Sequence, residues 1–264
     1  MDLQLNAKRA LVTGSTAGIG FAIASALAAE GAQVVLNGRT QARVDEAVQR
    51  LKAAQPSAHA IGIAADLSTA AGVAQLLAAC PEVDVLVNNL GIFAAVPFEA
   101  IDDSEWFRFF EVNVMSGVRL ARHYLPQMKA RNWGRVIFIS SESGVCPPAE
   151  MVHYGMTKSA QLSISRGLAE TCVGTRVTVN AVLPGPTNTE GVGGYLAEMA
   201  KQQNISFAEM EKQLFAAARP TSILKRLIDP AEIASTVTYL CSPLSAATNG
   251  AAIHAEGGVI RSLL

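Results

Sequence analysis

Tyr154 and Lys158 stand four residues apart in Tyr-Gly-Met-Thr-Lys, so a helix over this segment presents both side chains on one face. Such a pair alone also occurs on solvated helices. Its chemistry is specific where the pair is buried. A phenol titrates near pH 10, and a neighbouring ammonium favours the phenolate. Lowering the phenol by roughly 2–3 units takes about 3–4 kcal/mol of differential interaction. Tuned that way, Tyr154 can protonate an oxygen on which negative charge develops, or take the proton back, near neutral pH. Ser140, Ser141 and Ser143 precede the pair, and one hydroxyl of this kind can orient and polarise a substrate oxygen. Glu142 reads as a solvated loop acid, with a substrate-facing charge as the alternative. His153 reads as a pocket-wall or surface residue rather than a second acid/base.

A second constellation lies near the start. Thr13, Gly14, Ser15, Thr16, Ala17, Gly18, Ile19 and Gly20 follow an apolar run and open a helical pattern. Glycines there permit a tight turn and close approach of backbone to a pyrophosphate, which the helix N-terminus meets with free N–H groups and its positive dipole end. At the first strand–helix junction of an α/β chain this predicts dinucleotide binding. A carboxylate after the second strand would accept from a ribose 2′-OH and repel a 2′-phosphate. Here Leu36-Asn37-Gly38-Arg39 has no acid, and Arg39 can form charge-assisted bonds to phosphate. NADP(H) is therefore favoured over NAD(H).

The elements that must position these residues alternate from end to end. Strands are predicted at 9–13, 33–36, 60–64, 83–87, 135–140, 177–182 and 252–255. Helices are predicted at 21–30, 41–54, 70–79, 103–129, 154–170 and 230–241. The strands are continuously apolar, so both sheet faces are covered. This is one α/β domain, 1–264, built as a doubly wound parallel sheet of about seven strands with helices on both faces. Residues of about 186–225 break the rhythm, with short helices expected at 195–203 and 207–218, and read as a lid over a ligand.

Composition sets the outer bounds. Of 264 residues, 50% are hydrophobic and 16% charged, with a net charge of −1, which excludes a disordered chain. The charge balance argues against a nucleic-acid partner. Residues 10–29 carry no charge over a length that could span a bilayer, but three glycines, two threonines and two serines point instead to strand, turn and helix. The N-terminus lacks the apolar core of a secretory leader, and Cys80, Cys146, Cys172 and Cys241 show no metal or disulfide spacing. A soluble cytoplasmic protein without metal is expected.

The spacing Thr-Gly-x-x-x-Gly-x-Gly, with Asn88-Asn89-Leu90-Gly91, Asn113, Ser141, Tyr154–Lys158 and Pro184-Gly185 in order, resembles the short-chain dehydrogenase/reductase family over nearly the whole chain. It is similar to the 3-oxoacyl-(acyl-carrier-protein) reductase-like branch, with a lid longer by roughly ten residues. The resemblance implies a Rossmann fold and an oxidoreductase that reduces a ketone or oxidises a secondary alcohol with NAD(P)(H). It implies Tyr154 as acid/base, Ser141 as the orienting hydroxyl, and Lys158 also on the nicotinamide ribose. Asn113 would hold a water that links Lys158 to solvent. Asp66 and Leu67 would meet adenine, although Asp66 could simply cap the following helix. Asn89 and Gly91 would flank the adenine ribose, where Leu90 replaces the usual alanine. Pro184, Gly185, Thr187 and Thr189 would meet the carboxamide. The family commonly forms tetramers, and the dense Trp106, Phe107, Phe109, Phe110 and Val114 fit burial in a homotetramer or dimer. The tail 259–264 is expected at another interface. Substrate walls are expected at Phe93, Ala94, Cys146, Pro147, Met151, His153 and the lid. A sugar or steroid-type alcohol dehydrogenase using NAD, or a non-catalytic dinucleotide-binding regulator, are the competing readings.

Overall fold

The structure, a computed structural model, describes residues 1–262. Short apolar runs form β1 (Arg9–Val12), β2 (Gln33–Gly38), β3 (Ala60–Ala64), β4 (Val85–Asn88), β5 (Gly134–Ile139), β6 (Val177–Pro184) and β7 (Ala252–Ala255). They make one sheet in the order β3-β2-β1-β4-β5-β6-β7, with every neighbouring pair parallel. Leu11 in β1 lies opposite Val35 on one side and Leu86 on the other.

Both faces are buried, which explains the lack of polar alternation along the strands. On one face Leu11, Val35, Leu86 and Val136 pack with Leu76 of α3 (Ala70–Ala79) and with Leu120 and Tyr124 of α5 (Ser116–Ala130). On the other, Val12, Leu36, Val87 and Ile137 pack with three further helices. These are α1 (Gly18–Ala29) through Leu27, α2 (Gln41–Ala54) through Leu51, and α9 (Pro230–Cys241) through Val237. Each such leucine contributes roughly 2 kcal/mol by leaving water. Strand order reverses between β1 and β4, which opens a crevice outside their carboxyl ends.

Three expectations change. The predicted helix 103–129 is α4 (Asp103–Phe110), a π-turn over Glu111–Met115, and then α5. The helix expected from 195 starts earlier, as α7 (Glu190–Gln202), because Thr189 accepts the Val192 N–H at 3.2 Å and caps it. Gly191, Gly193 and Gly194 had masked that turn in the sequence. With α8 (Phe207–Ala217), α7 builds a small apolar core of its own around Leu196, Met210 and Phe215. Of the tail expected at an interface, Ile260 is instead buried in the chain's own core, and Leu263 and Leu264 lie outside the described residues. No helix of the described residues is long and apolar enough to cross a membrane. The uncharged stretch 10–29 is β1, a glycine turn and α1.

Candidate active site

The glycine turn opens at the crevice. Gly18 has φ of +56°, a conformation that favours glycine. A Cβ on Gly20 would lie 2.4 Å from Asn89 Nδ2 and 2.6 Å from the Gly14 carbonyl. Ala17 precedes α1 without a side-chain cap, and the first turn holds no acid. The first N–H groups of α1, at Gly18, Ile19 and Gly20, therefore have no capping side chain and no competing charge, which fits a pyrophosphate. Ser15 does not belong with them. Its hydroxyl donates to Val12 O at 2.7 Å and its N–H to Asn37 O at 2.9 Å, so it braces the turn from inside. Thr16 is half-buried with its methyl against Gly38 of β2, and its carbonyl accepts from Arg50 at 3.1 Å. Two amides finish the brace. Asn89 Nδ2 donates to Thr13 O and Gly14 O, and Asn37 Oδ1 accepts the Gly14 N–H. The structural part of Asn37 was not visible in the sequence, because its partners lie in the glycine turn after β1 and at the end of β3.

Arg39, just past β2, is exposed, and no protein group among the described residues pairs with it. Asp66 is exposed beyond β3, with Oδ1 accepting from the Ser68 N–H and hydroxyl. It does not cap α3; Thr69 does, accepting the Gly72 N–H at 3.0 Å. Leu67 beside it is buried against the sheet. Pro184 ends β6 and Gly185 follows. The Thr187 hydroxyl turns inward and donates to Gly185 O at 2.8 Å, so of the two threonines Thr189 is the one facing the glycine turn. Its methyl carbon lies 3.2 Å from where a Gly18 Cβ would stand.

The acid/base residues meet at the carboxyl end of β5. Ser141 leaves the strand, and α6 (Val152–Glu170) carries Tyr154 and Lys158 past it. Ser140 is excluded as the orienting group because its hydroxyl donates to Lys158 O at 2.9 Å. Ser141 accepts the Ser143 N–H at 3.1 Å and donates to Glu142 Oε2 at 2.5 Å. Phe93 sets its edge on Tyr154, with ring centroids 6.4 Å apart, and reaches α7 at Gly191.

The protonation pattern differs from expectation. Burial holds the Tyr154 phenol well above its ordinary range; the charge of Glu142 adds to this, and the Ser141 hydroxyl beside it acts the other way. Burial also pushes Lys158 down to about 7, against the pull of Glu142. Lys158 Nζ sits 5.5 Å from the Tyr154 ring centroid. Desolvation of the phenol thus outweighs the groups that lower it, the Ser141 hydroxyl and the Arg219 charge.

Lys158 is held by two acceptors. Its Nζ donates to Ile139 O at 2.8 Å and to Gln161 Oε1 at 3.3 Å. The other end of that amide, Gln161 Nε2, donates to the Asn113 carbonyl at 2.5 Å. The Gln161 amide thus joins Lys158 to the Asn113 carbonyl. Gln161 was missed, although it lies three residues beyond Lys158 and hence on the same helix face. Asn113 sits in the π-turn, where π-bulges often mark functional sites. Its Oδ1 accepts the Ile92 N–H, and its Nδ2 donates to Ile92 O and Thr157 Oγ1. Gly91 packs beside both Lys158 and Asn113.

Two neighbours also depart from expectation. Glu142 is no solvated acid: it is 4% exposed and receives Arg219 Nε at 3.0 Å. His153 is no pocket wall. It is fully buried, with its ring 4.1 Å from that of Phe109 and 6.1 Å from that of Trp106, and burial lowers its pKa.

A family model described as short chain dehydrogenase matches residues 8–200. The chain is 54% identical, over 263 residues and all of both chains, to the uncharacterized oxidoreductase YvaG of Bacillus subtilis (strain 168). It is 30% identical to the 3-oxoacyl-(acyl-carrier-protein) reductase FabG of Aquifex aeolicus (strain VF5), over 98% of this chain and 100% of that one. Among solved structures it is similar to L-sorbose reductase from Gluconobacter frateurii complexed with NADPH and L-sorbose, with a TM-score of 0.92, 31% identity and full coverage of both chains. Likeness of this extent, on a sheet and crevice of this kind, means that the chain belongs to the short-chain dehydrogenase family and is an oxidoreductase acting on CH–OH groups with NAD(P).

Proposed function

We propose that the protein reduces a ketone to a secondary alcohol, or runs the reverse oxidation, with Tyr154 as general acid/base. The observation that carries this is the meeting of Ser141, Tyr154 and Lys158 at the carboxyl end of β5, beside the glycine turn. When bound, the nicotinamide supplies or accepts the hydride. In reduction the Ser141 hydroxyl donates to the carbonyl oxygen and holds it beside Tyr154. The phenol proton moves to that oxygen as charge develops there, so the product leaves as an alcohol. Lys158 then favours the phenolate left behind, helps return a proton to it, and grips the nicotinamide ribose. Asn113, through Gln161, fixes Lys158 for that task.

The pyrophosphate rests on Gly14, Thr16, Gly18, Ile19 and Gly20. Asp66, Leu67, Asn89 and Gly91 form the adenosine side, and Pro184, Gly185 and Thr189 the carboxamide side. Arg39 selects NADP(H) over NAD(H), an assignment supported by its exposure and by its having no protein partner among the described residues. The chain is a single catalytic domain in which 186–225 forms a lid. It works in the cytoplasm as a homotetramer or dimer, a reading supported by Phe107 and Phe110, which stay 73% and 38% exposed. The likeness to a reductase solved with L-sorbose favours a sugar-type ketone over a steroid.

The test mixes the purified protein with NADPH or NADH and a panel of ketones, following the absorbance of the reduced nicotinamide. NADPH should be consumed faster. Arg39→Ala should lower kcat/KM for NADPH by about 10-fold and leave NADH unchanged. No ketone-dependent oxidation would contradict the reading, and an unchanged preference would remove Arg39 from it.

A further inference from the structure

Glu142 is the least expected charge in the molecule. Its carboxylate is buried one residue from Ser141, and both oxygens are engaged: Oε2 takes the Ser141 hydroxyl proton at 2.5 Å, and Oε1 takes Arg219 Nε at 3.0 Å. Arg219 follows α8 and so ties the lid segment to the Ser141 turn. Its NH1 also lies 3.9 Å from Glu150 Oε1. We propose that Glu142 and Arg219 form a substrate subsite for a hydroxyl group on the carbon next to the reacting carbonyl. The protein would then select neutral hydroxylated ketones over plain ketones and over keto acids. This rests on the proposed ketone chemistry and adds a substrate class to it.

A serine hydroxyl has one proton, so Glu142 Oε2, 2.5 Å from Ser141 Oγ, competes for it with Tyr154 and with any substrate oxygen. To polarise a carbonyl oxygen, Ser141 must turn it away from Glu142. A plain ketone then leaves a buried carboxylate oxygen without the donor it held, a change that is costly in a low-dielectric site. A hydroxyl on the adjacent carbon repairs the loss. Its oxygen lies about one hydrogen-bond length from the carbonyl oxygen, and Glu142 Oε2 is one further such step beyond Ser141 Oγ. The substrate hydroxyl therefore falls within reach of the acceptor that Ser141 gives up. A carboxylate has about four acceptor positions, and Glu142 uses two, so the hydroxyl need not displace Arg219.

Charge argues against an acid in the same place. The Arg219 guanidinium is shared between two carboxylates, Glu142 and Glu150, so it does not stand free for a substrate anion. A substrate carboxylate would have no donor on Glu142 and would meet like charge. The carboxylate–guanidinium pair therefore reads as an acceptor for hydroxyl groups with its position fixed by the lid segment, rather than as an anion clamp.

Acetone, hydroxyacetone and pyruvate test this, because they differ only in the group beside the ketone. With NADPH, hydroxyacetone should exceed acetone in kcat/KM by about 100-fold and pyruvate by more, as expected for a site built to bond a hydroxyl. In Glu142→Gln the amide keeps an acceptor but loses the charge. The discrimination against pyruvate should fall by at least about 10-fold while hydroxyacetone stays preferred over acetone. In Glu142→Leu the hydroxyacetone-to-acetone ratio should drop toward one. NADPH affinity, read by fluorescence titration, reports whether each variant is folded; if Glu142→Leu does not bind NADPH, the Glu142→Gln ratios decide. A wild-type ratio near one, or a discrimination against pyruvate unchanged in Glu142→Gln, overturns the subsite. So does turnover of other ketones without turnover of hydroxyacetone. Absence of any ketone turnover overturns the underlying reading instead, and the subsite with it.

Discussion

Strand β5 carries a buried cation at each end. At its amino end Arg135 is 1% exposed, and packed on its carboxyl end Lys158 is 4% exposed. Among the described residues neither has a carboxylate as its direct partner, and both lean on backbone carbonyls. Arg135 donates to Gly134 O, Arg176 O and Ser242 O, and its guanidinium also lies 4.9 Å from the Trp133 ring. A guanidinium does not lose its proton in a protein, so this end of the sheet holds a fixed charge that ties β5, β6 and the end of α9 together. Lys158 is held by one carbonyl and one amide, leaves a third ammonium proton for another acceptor, and titrates near neutrality. The lesson is that burying a cation makes it structural or chemical according to whether it can titrate and whether a donor is left over. Ligands approach a parallel sheet at the carboxyl edge, and only the cation at that edge is of the second kind.

That contrast can be broken by paired substitutions. Lys158→Met should reduce turnover by about 10³-fold in steady-state assays, the scale of a lost acid/base partner. It should not weaken the fold. The Lys158 pKa falls from 10.5 to about 7 on folding, so between those values the unfolded chain binds the extra proton and stability rises with pH. The burden of Lys158 is therefore greatest below pH 7 and gone above 10.5. Calorimetry without cofactor should find Lys158→Met more stable than wild type at about pH 6, with the gap closing toward about pH 10. A gap that widens with pH would contradict the assignment.

Arg135→Met should do the opposite. It removes the donor for three carbonyls and should cost about 3–5 kcal/mol in denaturant unfolding. The folded fraction should keep its activity. Equal loss of activity and stability in both variants would erase the distinction between the two ends.

A smaller effect sharpens it. Gln161→Leu removes the amide between Lys158 and Asn113 while keeping an apolar side chain on α6. It should lower kcat by about 10-fold and move the pH profile of kcat, with little change in KM. A drop in stability with an unmoved pH profile would make Gln161 a packing residue only.

Much of this architecture is legible in the sequence. Strands such as 33–36 are apolar on both faces because both faces are covered, and runs of that kind state their environment directly. Tyr154 and Lys158 were legible because helical spacing joins them. What stayed hidden depends on partners distant in sequence. Glu142 reads as a loop acid until Arg219, 77 residues on, closes over it. The π-turn at Asn113 follows from a bidentate bond to Ile92, 21 residues earlier, which no propensity encodes. Ser15 and Ser140 look as available as their neighbours, but their hydroxyls turn inward onto the carbonyls of Val12 and Lys158.

The central claim is that Tyr154 moves the proton. The most direct measurement is single-turnover oxidation of bound NADPH by an accepted ketone in Tyr154→Phe, which keeps the ring and its edge contact with Phe93. The account predicts retained NADPH binding with a loss of at least about 10³-fold in the chemical step. Full turnover in that variant would contradict it.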